Sequence, residues 1–237
     1  MPLSLEISQG IIEIPIEKYK GIALCVSGGI DSATLLYIIS EYITNNNLDT
    51  QIYALTVPNR TDSACGYHAQ LVIDFVTRKF PVNINHTIRS TIFDGGKKNQ
   101  VMNQWFRELR KMRKIQCTLN GVTANPKDSS FKFIEPKNYY IKPLPERDGN
   151  PIKYKRREGY DHYFPFATTD KKGVCEITEL KNITERLLLI TKSCTSDVHY
   201  HCGECWWCQE RTWGFSLPRL KGLMNNSRSE KAVKLTK

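Results

Sequence analysis

No apolar run in this chain is long enough to span a bilayer; the longest, such as Ile22 to Val26 and Leu187 to Ile190, are a few residues each. The opening segment MPLSLEISQG has neither a basic leader nor an apolar core, so no secretory signal is expected. Internal repeats are missing as well, which argues against solenoid and propeller architectures. These absences predict a cytoplasmic protein with no membrane partner. In such a reducing compartment, eight cysteines are better read as thiols or metal ligands than as disulfides. Acidic residues are in deficit: 24 Asp and Glu face 34 Lys and Arg, a net charge of +10. That excess favours anionic partners, and leaves nucleotide, nucleic acid and acidic small molecule all open.

The 237 residues suit one α/β domain with a small appendage. Residues 11 to 20 alternate in part and predict a short edge strand. Gly21 to Val26 reads as a buried parallel strand, and a helix begins near Asp31 with Leu35, Leu36, Ile38 and Ile39 on its apolar face. Strands are expected again at Ile52–Val57, Val82–Ile88 and Cys117–Val122, with helices at Ala64–Phe80 and Asn99–Ile115. Strand and helix alternating at this spacing predict a parallel sheet covered by helices on both faces. The pattern fails over 127–163, which holds several prolines, tyrosines and the cluster Lys153, Lys155, Arg156, Arg157; a functional loop or partly ordered insertion is expected there. Regular structure is expected to resume at Phe164–Ala167, followed by a helix over 172–186. The expected domains are therefore 1–190, a cysteine segment at 191–218, and a basic tail at 219–237.

Ser27-Gly28-Gly29-Ile30-Asp31-Ser32 lies between the first apolar strand and its helix. Two glycines let successive amides point one way, and the start of the following helix adds its own free amides and positive dipole end. Ser27 and Ser32 contribute hydroxyls. Asp31 can cap the helix or help hold a divalent cation, with magnesium expected. The turn lacks the lysine of a Walker loop and the spacing of a GxGxxG fingerprint. Further on, Cys194, Cys202, Cys205 and Cys208 place four thiols at metal-ligand spacing. Zinc is the first reading and an iron–sulfur cluster stays open. Four thiolates would close the coordination shell, so the metal is expected to be structural.

The turn resembles the SGGxDS loop of the N-type ATP pyrophosphatases, or PP-loop superfamily, which includes GMP synthetase, asparagine synthetase and tRNA-modifying adenylases. The resemblance implies an adenine nucleotide alpha hydrolase-like, Rossmann-like fold in which Ser27 to Ser32 bind the β- and γ-phosphates of ATP. The run from Cys202 to Phe215 is similar to the CGxCxxCxxRxxGF zinc signature of the 7-cyano-7-deazaguanine synthase family. Asn120-Gly121-Val122-Thr123 and Thr169-Asp170-Lys171 resemble that family's TGV and Asp-Lys elements. This second resemblance implies a ligase that adenylates a 7-deazaguanine carboxylate, lets ammonia displace AMP, and then forms a nitrile with a second ATP, as in queuosine biosynthesis. Asp31 and Lys171 would be catalytic, Gly121 would line the nucleotide site, and a homodimer is implied. The family's substrate-binding elements have no clear counterpart near Gln100 to Gln104, and one is reduced to Val57-Pro58-Asn59-Arg60. An adenylase modifying a tRNA or DNA base, or a module that binds nucleotide or nucleic acid without turnover, therefore remains as an alternative.

Cys25 and Cys117, placed in strands, are read as buried hydrophobes rather than nucleophiles. Cys65 and Cys175 are the less constrained candidates for a sulfur-transferring thiolate. Trp206, Trp207 and Trp213 could stack on a purine or pack around the metal knuckle. His199 and His201 could each replace a thiolate ligand.

Overall fold

A computed structural model describes residues 2–58, 64–91, 97–126, 128–135, 154–157, 159–194 and 201–218. Strands β1 (Leu3–Ile7) and β2 (Gly10–Ile14) form an antiparallel hairpin that turns at Gly10, whose φ is +121°. The edge strand expected over 11–20 is thus the second arm of a separate two-stranded sheet, followed by a 3-10 turn at Ile16–Lys18.

The main sheet holds β3 (Gly21–Cys25), β4 (Gln51–Thr56), β5 (Ile84–Ile88), β6 (Cys117–Leu119), β7 (Tyr154–Arg157) and β8 (Tyr160–Tyr163). Their spatial order is β5-β4-β3-β6-β8-β7, parallel throughout except for the β7–β8 hairpin. Strand alternation divides the core between the two faces. Ile22, Leu24, Ile52 and Ala54 join one hydrophobic cluster, while Ala23, Leu55 and Val57 join another.

The first face is covered by α1 (Ile30–Asn45), α2 (Cys65–Lys79), α4 (Lys171–Leu180) and α5 (Thr184–Ile190). Helix α1 is buried over most of its length because the consecutive apolar residues Leu35 to Ile39 occupy every side of its middle turns, as expected for a helix packed between a sheet and other helices. The second face is covered by α3 (Lys98–Lys111), whose stripe of Val101, Trp105 and Leu109 repeats every four residues. The Gln100 side chain accepts from the Lys97 amide at 2.9 Å and closes its first turn. Helix α6 (Trp206–Gly214) follows the cysteine segment.

Four expectations are corrected. The insertion ends in the β7–β8 hairpin: its basic run hides a strand whose partner, β8, pairs with β6 more than thirty residues back in the chain. Phe164–Ala167 is a turn rather than regular structure, with the Ala167 amide bonded to the Phe164 carbonyl at 3.0 Å. The single helix over 172–186 is two, α4 and α5, broken where Asn182 takes φ +53°. The β6 strand is also shorter than predicted, ending at Leu119 before Gly121. The prolines at 136, 143, 145 and 151, Lys153, Asn59, Arg60, His199 and the tail at 219–237 lie outside the described residues.

Candidate functional site

Chain order reverses at β3. The strands β4 and β5 lie to one side and β6 and β8 to the other, so the carboxyl ends of β3 and β6 border a topological switch point, where open α/β sheets bind ligands. The Ser27–Ser32 turn leaves β3 at this point, and Gly121 follows β6 beside it. A Cβ on Gly121 would lie 3.3 Å from the Asp31 carbonyl oxygen, so the first turn of α1 and the β6 loop run in contact.

Local geometry explains both glycines of the turn. Gly28 has φ +75°, and a Cβ there would meet the His68 Cβ at 2.7 Å and the Ala69 nitrogen at 2.8 Å on α2. Its carbonyl accepts from the Lys192 amide at 2.8 Å, tying the turn to the segment after α5. Gly29 is the N-cap of α1 and supplies no side chain to the helix's first amides, so these remain available to an anion. The Ser27 and Ser32 hydroxyls lie 3.2 Å apart; Ser32 Oγ accepts from the Ser27 amide at 3.2 Å and can donate to the Gly29 carbonyl at 3.1 Å. From behind, the Thr56 hydroxyl donates to the Val26 carbonyl at 2.7 Å.

Asp31 does not cap α1. Both its oxygens accept from Lys171 Nζ, each at 2.5 Å. Lys171 opens α4 and is only 2% exposed. Its ammonium also lies 3.7 Å from Glu210 on α6. Gly214 makes this approach sterically feasible: a Cβ there would come within 2.6 Å of the Lys171 Cβ and 2.8 Å of its carbonyl carbon. The N-cap of α4 is Asp170, whose side chain accepts from the amides of Lys172 and Gly173 at 2.9 and 3.3 Å. Gln9, at the tip of the β1–β2 hairpin, donates to Asp170 Oδ1 at 2.6 Å and accepts from the Asp170 amide at 2.9 Å.

The sulfurs of Cys194, Cys202, Cys205 and Cys208 all lie within 4.8 Å of one another. One ion with zinc–sulfur bonds of about 2.3 Å needs tetrahedral edges of about 3.8 Å, and the Cys202–Cys208 and Cys194–Cys205 pairs stand at 3.9 and 4.0 Å. A four-iron cluster places its thiolates on separate irons and needs a wider spread. His201 stays beside this group, with Nδ1 3.6 Å from the Cys208 sulfur, and burial pushes its imidazole down to about 3. Trp207 packs on the cysteines. Trp206 packs edge-on to Phe131 at 4.9 Å and near Phe133 at 5.1 Å; Trp213 lies 5.4 Å from Phe131 and donates to Ser130 Oγ at 2.9 Å. For Trp206 and Trp213, packing around the knuckle therefore wins over a free stacking platform.

Sequence reasoning missed Arg211 as an individual residue. Fully buried one position after Glu210, it donates to Thr191 Oγ1 at 2.9 Å, Ser193 Oγ at 3.2 Å and the Leu188 carbonyl at 2.8 Å. Burial pushes the guanidinium down to about 10, so it stays charged at neutral pH. Arg211 and Gly214 place the cysteine-bearing helix against both the 188–193 segment and Lys171. The only sequence signal was their place within the matched signature. Cys65 and Cys175, the candidate sulfur carriers, are 2% and 5% exposed, and neither presents a thiol at the surface. Cys117 is a core residue whose thiol is raised by burial, whereas Cys25 is half-buried against the second cluster, where burial pushes its thiol up to about 12.

No protein-family model matches the chain, and no curated protein sequence does. Among solved structures it is similar to the U34-tRNA thiolase NcsA from Methanococcus maripaludis with its [4Fe-4S] cluster, at 12% identity and TM-score 0.46, covering 91% of this chain and 71% of that one. It is also similar to NMN synthetase from Francisella tularensis (11% identity, TM-score 0.43, covering 86% and 87%). A third similar structure is NAD+ synthetase from Burkholderia pseudomallei (13%, TM-score 0.36, 92% and 83%).

Proposed function

We propose that the chain is a PP-loop enzyme that uses ATP to adenylate an oxygen of its substrate and releases pyrophosphate. The observation that carries this reading is the glycine turn at the switch point, with the buried ammonium of Lys171 held against Asp31 beside it. Ser27, Gly28, Gly29, Ile30, Asp31 and Ser32 would receive the β- and γ-phosphates, with Gly121 bordering them. Once those two phosphates are gripped as a leaving group, the substrate oxygen must attack the α-phosphorus. Positioning and charge neutralisation supply most of the catalysis. Asp31 would help hold magnesium, which neutralises phosphate charge, and Lys171 would turn from Asp31 towards the phosphates.

The finer reading is a 7-deazaguanine carboxylate as acceptor. Its carboxylate oxygen displaces pyrophosphate, ammonia displaces AMP to give the amide, and a second ATP activates the amide oxygen; loss of AMP and a proton leaves the nitrile. Residues 1–190 would form the catalytic domain and 191–218 the metal-binding segment. Cys194, Cys202, Cys205 and Cys208 would hold one zinc ion, supported by the close spacing of their sulfurs. A closed set of four thiolates gives that ion a structural role.

The test is mass spectrometry of products after incubation with ATP, magnesium, ammonium and 7-carboxy-7-deazaguanine. Nitrile and AMP are expected. Unchanged acid beside AMP and pyrophosphate formed with a nucleic-acid acceptor would move the activity to a base-modifying adenylase. Unchanged ATP with every acceptor would overturn both.

A further inference from the structure

We infer that the end of the sheet opposite the glycine turn is a docking surface for a polynucleotide backbone. The amino ends of β3, β6 and β8 meet there with the end of β7, and the chain leaving α3 crosses them. The Gln116 side chain accepts from the amides of Lys20 and Gly21 at 3.1 and 2.9 Å, and its carbonyl accepts from the Asp161 amide at 3.3 Å. Gly21 is required where the Lys114 carbonyl presses on β3, and the Arg110 guanidinium lies 4.9 Å over the Tyr160 ring.

This framework brings Lys18, Lys20, Lys111, Arg113, Lys114 and Arg156 to the amino end of the sheet. All six are exposed, and none forms an ion pair with a described residue. The acidic residues close by include Glu17, Asp161 and Asp49, the last preceding Thr50, whose hydroxyl donates to the Tyr19 carbonyl at 2.9 Å. Asp161 accepts from the Tyr19 and Tyr154 hydroxyls at 2.7 and 2.8 Å and lies opposite Arg156 on the neighbouring strand with Lys18 also near, so it offsets one charge of the six. From β3 to β7 is three inter-strand steps, a width of about 15 Å. Duplex nucleic acid presents a phosphate charge about every 1.7 Å of axis, so a stripe of that width meets several phosphates at once.

A membrane surface fits less well. A helix that lies on lipid exposes an apolar stripe beside its cations, whereas Val101, Trp105 and Leu109 of α3 are buried against the sheet. The surface offers charge and tyrosines, which suits backbone contacts that carry no base sequence. It lies at the far end of the strands from the glycine turn, so polynucleotide binding there is independent of whether the turn adenylates a substrate.

The test is fluorescence anisotropy of the full chain with a labelled RNA duplex of about 24 base pairs, at about 50 and 200 mM salt. Binding is expected to weaken steeply with salt. Lys111→Gln, Lys114→Gln and Arg156→Gln together should lower affinity at least about tenfold and flatten the salt dependence, by about 0.9 in slope for each phosphate that is no longer neutralised. The triple variant Lys97→Gln, Lys132→Gln, Arg186→Gln removes the same charge away from the amino end of the sheet and should change affinity less than about twofold. A DNA duplex of the same sequence identifies the polynucleotide, and binding of either supports a docking role. Equal losses in the two triples, no loss in the first, or binding only to anionic vesicles would overturn it. A thermal melt of each variant confirms that folding is intact, since neutral glutamines at exposed sites should move Tm little.

Discussion

Lys171 and Asp31 stand 140 positions apart in the chain and share a doubly bonded ion pair. Lys171→Met would remove the cation from the phosphate end of the site and is expected to slow ATP–pyrophosphate exchange by about a hundred- to a thousandfold. It also leaves Glu210 buried without that cation, so Tm should fall as well. Asp31→Ala should abolish exchange while zinc content, measured by inductively coupled plasma mass spectrometry, stays unchanged. Exchange at the wild-type rate in either variant would remove these residues from the site. Gly28→Ala places a side chain at φ +75° and inside van der Waals contact of α2. It should cost about 2–4 kcal/mol in denaturant unfolding and weaken ATP binding. Gly28 was legible as a special residue from sequence, because its need is local. The partner of Lys171 was not, because nothing near either residue in the chain names the other.

Helices and strands were readable where a period repeats over several turns, as in α1, α2 and α3. The reading failed where tertiary pairing supplied the order. Tyr154 to Arg157 looks like a solvated basic run, yet its backbone pairs with β8, and β8 pairs with a strand far back in the chain. Helix α6 shows the same dependence on context. Its turns are held by Arg211 on one side, by the cysteines at its start, and by Gln209, which exchanges hydrogen bonds with the Ile134 backbone at 2.7 and 2.9 Å. Arg211→Lys keeps charge but loses the fork; two charge-assisted bonds are worth about 3 kcal/mol together, and Tm should drop accordingly. Metal should remain bound while exchange slows, because the 188–193 segment carries the Lys192 amide that fixes Gly28. Cys205→Ser should lose the metal, from about one zinc per chain to near none, and lower both solubility and Tm. Equal metal content in wild type and Cys205→Ser would sink the structural-zinc proposal.

Across the whole molecule, burial of thiols makes stability depend on alkaline pH. The Cys117 side chain is buried, and the folded state holds both it and Cys25 above the ordinary thiol value. A raised folded value stabilises fully below the unfolded value of about 8.5 and loses that contribution as pH rises beyond it. Tm should therefore fall between about pH 9 and 11, by less in Cys117→Ala measured against its own neutral-pH value. A pH profile identical in wild type and variant would show that the Cys117 thiol is not responsible.

The order of local signals along the chain was enough to determine the alternating α/β architecture, the glycine turn between β3 and α1, and the closely spaced thiols at the end. Each depends on residues a few positions apart, and backbone stereochemistry with side-chain reach is sufficient to read them. Only the tertiary structure decided that β6 lies on the other side of β3, which brings the two loops together and makes the switch point. It also decided that α6 packs through Gly214 onto Lys171 and that scattered lysines and arginines converge at the opposite end. Those outcomes depend on sheet order and close backbone approach, quantities set by the packing of the whole core rather than by any one stretch of the chain.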